Sequence, residues 1–207
     1  MMGRRKAAIG VDIGGTKISA GIVGGEGLVY ASPRTIATNP KEPGEVIIAN
    51  LFSLLKNILA DAADYDIQGI GIGCTGPLDI GKGILLDVEN LPTLNYFPLK
   101  DTVEQAFPLR VILDNDANAL IYAEALWGAG RNAGSVLGFT LGTGIGCAWI
   151  NGGKVWRGHS GCAQKPRKFV IGVSQCSEDV WRDKLNDELK MQVEGLWFFH
   201  RFWDIVA

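Results

Sequence analysis

Apolar and polar positions along the chain divide it into short runs that are easiest to see between residues 7 and 24. There AAIGVDIGGTKISAGIVG holds an apolar stretch, the acid Asp12, a Gly14-Gly15-Thr16-Lys17 turn and a second run in which apolar and small residues alternate. This pattern predicts a strand, a tight turn and an antiparallel return strand. Residues 136–155, VLGFTLGTGIGCAWINGGKV, superpose on it without a gap: Gly10 matches Gly138, Gly14 matches Gly142, Ala20 matches Ala148, Ile22 matches Ile150 and Gly24-Gly25 match Gly152-Gly153. A repeated strand-turn-strand unit predicts two related half-structures. Between the repeats, Leu28 to Ala37 reads as a third strand, with Pro33 tolerable at an edge or bulge. Ile47, Leu51, Leu54, Leu55, Ile58 and Ala62 recur at steps of three and four, with Pro43 in the first helical turn and Lys56, Asp61 and Asp64 off the stripe, as a helix packed on a sheet requires. Gln68 to Gly73 is a short buried strand, Asn90 to Pro98 is irregular, Leu99 to Phe107 is a helix, Leu109 to Leu113 a buried strand and Ala117 to Leu126 a helix. From Gln164 the texture changes to mixed charges and the crowded LWFFHRFW run at 196–203, with no further Gly/Thr turn.

Composition narrows the class. Hydrophobic residues make up 47% of the 207 residues and charged ones 20%, which excludes a disordered chain, while 28 glycines without a Gly-X-Y period favour many turns. A net charge of −2 offers no electrostatic case for nucleic acid or an anionic membrane. The basic start Gly3-Arg4-Arg5-Lys6 reads as a solvated terminus. No stretch approaches the length of a membrane span, and the N-terminal apolar run is broken by Gly and Asp, so a cytoplasmic protein is expected. Cys74, Cys147, Cys162 and Cys176 have no Cys-x-x-Cys spacing and are expected as reduced thiols.

Three stretches carry candidate chemistry. At Gly14-Gly15 the backbone can take angles closed to other residues and leaves no side chain above the turn, so amides can approach an anion while Thr16 and Lys17 add a hydroxyl and a cation. A plain hairpin turn explains the same glycines. Cys74-Thr75-Gly76-Pro77-Leu78-Asp79 follows a strand into a Gly-Pro loop, which is either a ligand contact at the strand's C-terminal edge or a loop that simply turns. Asp116, in Asp114-Asn115-Asp116-Ala117-Asn118-Ala119, reads as N-cap of the following helix, as a carboxylate that takes a proton from a substrate hydroxyl with Asn115 bonding the neighbouring hydroxyl, or as both.

The set Asp12 to Lys17, Gly71-Ile72-Gly73-Cys74-Thr75-Gly76-Pro77, Asp114 to Ala119 and Leu141-Gly142-Thr143-Gly144-Ile145-Gly146 resembles the ROK family of sugar kinases, repressors and related proteins, above all its glucokinase and fructokinase branch. The resemblance covers residues 7–163. It implies an α/β, actin-like (ribonuclease H-like) ATPase fold of two lobes, the first over 1–114 and an incomplete second beginning at 115–163, with ATP and a hexose in the cleft between them. It further implies that Asp12, Gly14, Gly15, Thr16, Lys17, Gly142, Thr143, Gly144 and Gly146 hold the nucleotide with Mg²⁺ nearby, that Gly76, Asn115 and Asp116 contact the sugar, and that Asp116 is the catalytic base. Phosphoryl transfer agrees with such a set, because backbone amides and a metal offset developing charge while a carboxylate orients the attacking hydroxyl.

The chain departs from the family after Ala163. The family's Gly-Glu-x-Gly-His segment, whose Glu and His contact sugar and whose His can bind a structural zinc, is replaced by Gln164-Lys165-Pro166-Arg167. A lysine stands where the glutamate would fall, and His159 precedes the family's histidine position. The cysteine-rich zinc segment is missing, Cys176 alone cannot make a tetrahedral site, and no zinc is expected. Residues 164–207 read as a tail out of frame or truncated relative to an ancestral kinase, with His200 a bystander. Apolar surface of strands 134–150 is then expected to be uncovered, to be rescued by the Trp-rich tail or a partner, or to serve as a homo-oligomer surface. The competing expectation is a non-catalytic or vestigial sugar-binding regulatory protein of the family. A repressor is disfavoured because only Met1 to Lys6 precede the first strand, and a different actin-like ATPase is disfavoured by the Asn115 to Asn118 run.

Overall fold

A computed structural model describes residues 4–25, 27–141 and 145–158. In chain order the elements are β1 (Arg5–Ile13), β2 (Lys17–Gly24), β3 (Arg34–Ala37), α1 (Gly44–Asp61), β4 (Tyr65–Cys74), β5 (Leu78–Asp79), β6 (Ile84–Leu85), a 3-10 turn (Pro92–Leu94), α2 (Leu99–Ala106), β7 (Arg110–Asn115), α3 (Asp116–Trp127), β8 (Ser135–Leu141), β9 (Ile145–Asn151) and β10 (Lys154–Val155). Five strands form one sheet in the order β3-β2-β1-β4-β7. Strands β1, β2 and β3 make an antiparallel meander, whereas β4 and β7 run parallel to β1 after crossovers that carry α1 and α2.

The central strand β1 is buried on both faces, with Ala7, Ala8, Ile9 and Val11 fully inaccessible, so its apolar run has no polar alternation to lose. Helix α1 buries Ile47, Ile48, Leu51, Leu54, Leu55 and Ile58 against that sheet, close to the predicted stripe. Pro43 is its N-cap and lies one residue outside the first turn. The third strand is shorter than its sequence predicts: only Arg34–Ala37 pair with β2, and Val29 makes an isolated bridge to Val23. Pro33 has no amide to offer a ladder, which ends the pairing at Arg34. The small β5–β6 hairpin has no counterpart in the sequence reading, since two-residue strands show no periodicity. In the other direction, β4 starts at Tyr65, three residues before the predicted Gln68, because Tyr65, Asp66 and Ile67 pair with Arg5, Lys6 and Ala7.

A second sheet, ordered β10-β9-β8, packs against α3 through Ile121, Ala148 and Ile150. Alternation along β8 puts Gly138 on that side, and a Cβ there would run into three carbons of Ile121. Gly138→Ala is therefore expected to cost about 1–3 kcal/mol, the usual penalty of overpacking, read as a lowered urea midpoint at unchanged slope. Leu137 and Phe139 face the other way and are 59% and 57% exposed. The two hairpins differ in the pairing that flanks their turns. Ile13 pairs with Ile18, whereas Leu141 pairs with Ile145, one residue closer than the ungapped sequence match implies.

Candidate functional site

The parallel strands end in two aligned rows, Asp12–Gly73–Asp114 and Ile13–Cys74–Asn115 across β1, β4 and β7. Open α/β sheets place ligands beyond the C-terminal ends of such strands. Next to Asp12 the turn Gly14–Lys17 is pinned from the segment after β3: Thr38 Oγ1 donates to the Gly14 carbonyl at 2.7 Å and the Thr38 amide to the Thr16 carbonyl at 2.9 Å. Neither Gly14 nor Gly15 adopts a left-handed backbone, so of the two reasons read from the sequence the one from backbone angle does not apply. Close approach explains Gly15 instead, since a Cβ on it would lie 2.9 Å from Asn90 Cβ. Asn90 in turn donates from Nδ2 to Thr75 Oγ1 at 3.4 Å. Gly15, Thr16, Lys41, Glu89 and Asn90 line an open cavity of about 280 Å³ at this turn.

Across the strand ends, Asn115 rather than Asp116 is the N-cap of α3, and this corrects the sequence assignment. Asn115 keeps an extended backbone, and its Oδ1 accepts from the amides of Ala117 and Asn118 at 3.2 and 3.4 Å. Asp116 is the first helical residue, and its Oδ1 accepts from the Ala117 amide at 2.8 Å. Asn115 Nδ2 points at the Cys74 carbonyl, 3.4 Å away, and a Cβ placed on Gly76 would lie 3.4 Å from the same nitrogen. Gly76, Asn115 and Asp116 thus meet at one place.

Electrostatics joins this place to the glycine turn. Burial pushes Asp12 up to about 7, the Asp116 carboxylate pushes the same way, and the Lys17 ammonium opposes both. Asp116 is also raised by burial, against the lowering effect of its bonds with Ala117 and Asn115. Cys74, fully buried, is pushed well above the ordinary thiol value by burial and then by Asp116 and Asp12. Because Asp12 holds its proton more tightly when folded, the folded state binds the extra proton between about pH 4 and 7, and ionisation destabilises it there. Urea stability is expected to fall as pH rises through that window, and Asp12→Asn is expected to flatten the fall.

The second hairpin reaches the same region. A Cβ on Gly146 would overlap Thr140 Oγ1 and lie 2.8 Å from Ala117 Cβ, beside Asp116. Gly142, Thr143 and Gly144 lie outside the described residues, as do His159, Lys165 and Cys176. Among the described residues no three His, Cys, Asp or Glu side chains cluster to hold a metal. A Mg²⁺ ion fits the donors present in another way, since it keeps several waters and takes one or two carboxylates plus phosphate oxygens. Asp12 supplies one such carboxylate, and a cation beside it would offset the repulsion it feels from Asp116.

Sequence reasoning passed over Asp114. Its carboxylate is 4% exposed and accepts from the Asn115 amide at 2.7 Å, from Asn118 Nδ2 at 3.0 Å and from both Arg157 nitrogens, Nη1 at 3.0 Å and Nη2 at 2.5 Å. The only signal in the sequence is an acid at the end of a buried strand; nothing there points to Arg157.

A five-stranded sheet with a glycine turn after β1 and an acid opening α3 defines an actin-like ATPase fold, and solved ROK kinases share it. The ROK family pattern matches residues 8–165, and the chain belongs to that family. A glucokinase from Streptomyces coelicolor is 36% identical over 155 residues, 75% of this chain and 47% of that protein. An N-acetylmannosamine kinase from Escherichia fergusonii is 32% identical over 155 residues, 75% of this chain and 51% of its own. The crystal structure of a ROK family glucokinase from Streptomyces griseus in complex with glucose and AMPPNP is 39% identical, with a TM-score of 0.68 over 76% of this chain and 48% of that one. The chain spans about half the length of the curated relatives it matches. No described helix is long and apolar enough to cross a membrane.

Proposed function

We propose that the protein is an ATP-dependent hexose kinase of the glucokinase type. One observation carries this reading: Asp12 near the end of β1 and Asp116 directly after β7, with only β4 between the two strands, each feel the other's charge, with Lys17 and the Gly14–Lys17 turn on one side and Gly76 and Asn115 on the other. A relative that binds glucose and an ATP analogue supports it. In the proposed reaction Asp116 accepts the proton of a sugar hydroxyl as that oxygen bonds to the γ-phosphorus of ATP and the bond to ADP breaks. A raised carboxylate pKa suits the task, since a base works best near the operating pH. Asn115 Oδ1 is committed to the helix cap, so its weakly held Nδ2 is the group left for a neighbouring hydroxyl. Gly76 leaves room for the sugar beside that nitrogen.

The backbone amide of Gly15, with Thr16 and Lys17, takes the phosphates, while the Gly14 amide closes the turn on the Lys17 carbonyl at 3.0 Å; Gly142, Thr143, Gly144 and Gly146 are assigned to the same nucleotide on the family resemblance. Asp12 would hold Mg²⁺, which when bound supplies charge neutralisation to the transferring phosphoryl group, and Asp116 stays free to take the proton. Residues 1–114 form the first lobe and 115–163 open the second. A coupled assay of ADP release with glucose, fructose, mannose and N-acetylated sugars tests the reading, and sugar-dependent release is expected. Calorimetry that finds ATP and sugar bound with no turnover on any of these sugars would make the protein a binding module instead.

A further inference from the structure

Asp114 collects four donors from three parts of the chain. Its own strand supplies the Asn115 amide, the first turn of α3 supplies Asn118 Nδ2, and the segment after β10 supplies the two-toothed guanidinium of Arg157. Three of the four fall on a single oxygen, Oδ1, at 2.7 to 3.0 Å, which settles the carboxylate in one orientation. Arg157 is itself anchored one residue earlier, where the Trp156 amide donates to the Trp149 carbonyl of β9 at 2.8 Å. Asp114 directly precedes Asn115 and Asp116, and two of its bonds end on the turn those residues form.

We propose that Arg157 is a positioning residue: by forking onto Asp114 from the far end of the second sheet, it fixes the Asn115–Asp116 turn and couples the placement of that sheet to the direction of the Asp116 carboxylate. The proposal rests on the kinase reading for its catalytic consequence, not for the geometry. The pair does for orientation what a lone hydrogen bond cannot, because a planar guanidinium against a carboxylate restricts angle as well as distance. A carboxylate deprived of Arg157 keeps one net negative charge in a buried place, and the least disruptive relief is to turn toward water. That movement would release Asn118 Nδ2 and the Asn115 amide together.

The full chain is compared with Arg157→Lys and Arg157→Ala, and with Leu55→Ala as a destabilised control in the first core, by amide hydrogen exchange and by steady-state kinetics. Expected for Arg157→Ala is an exchange rate at Asn115, Ala117 and Asn118 raised on the order of tenfold or more beyond any rise in β1 and β2. Its kcat is expected to fall about ten- to a hundredfold while KM for ATP stays within about twofold, because alignment of the base and not nucleotide binding is lost. Arg157→Lys, which keeps the charge but not the fork and provides a folded variant should Arg157→Ala unfold, is expected to show the same local loosening to a smaller degree. Leu55→Ala should loosen the first sheet and leave kcat near that of the parent. Uniform loosening, or unchanged exchange at the three amides in both Arg157 variants, overturns the proposal whatever the activity. If the parent shows no sugar-dependent ADP release yet the three amides still loosen selectively, the kinase reading falls and the positioning contact stands.

Discussion

If Asp116 is the proposed base, Asp116→Asn is expected to lower sugar-dependent ADP release by about a hundred- to ten-thousandfold, the range for removing a general base. The substitution is nearly isosteric. An Asn Oδ1 can still accept from the Ala117 amide, so the first turn of α3 keeps the bond that Asp116 makes at 2.8 Å. Its loss of charge also relieves Asp12, whose carboxyl is raised in part by Asp116, so the variant should be no less stable than the parent. Calorimetry should find sugar and nucleotide affinity little changed, which separates a lost base from a lost binding group. In the parent, the acid limb of kcat is expected above the ordinary aspartate value because burial raises Asp116, and that limb should disappear in the variant. A rate for Asp116→Asn within a few-fold of an active parent would remove the carboxylate from the mechanism.

Arg157→Ala is expected to destabilise the fold by about 3–5 kcal/mol, as measured by urea denaturation, because it strands a carboxylate that is 4% exposed. Asp114→Asn should cost clearly less. Asparagine can keep accepting from the Asn115 amide and Asn118, and the Arg157 side chain, 36% exposed, can turn its charge to water. The order of the two costs therefore reports which partner carries the burial penalty, and equal costs would place the pair in effective contact with solvent.

The outline of both sheets was legible because hydrophobic alternation and glycine turns are local signals. The apolar stripe of α1 and the buried runs of β1, β4 and β7 needed no partner to be recognised. Features that went astray were those set by contacts distant in sequence. The cap of α3 passed from Asp116 to Asn115 because Asn115 keeps the extended backbone of β7 while its Oδ1 reaches the Ala117 and Asn118 amides. The need for glycine at position 15 comes from Asn90, 75 positions later along the chain, rather than from backbone angle. The one-residue offset between the hairpins was hidden because a sequence match compares strands and not their pairing.

By itself the sequence determined the family, the order of the longer strands and helices, and which carboxylates and glycines carry chemical promise, since each of these is written in runs and spacings of adjacent residues. Only the tertiary structure decided that Asp12 and Asp116 share one field, that Asn115 rather than Asp116 caps the helix, and that Arg157 closes on Asp114. Charge interactions and hydrogen bonds depend on distance and burial in space, and folding brings these residues together from positions up to 104 apart along the chain.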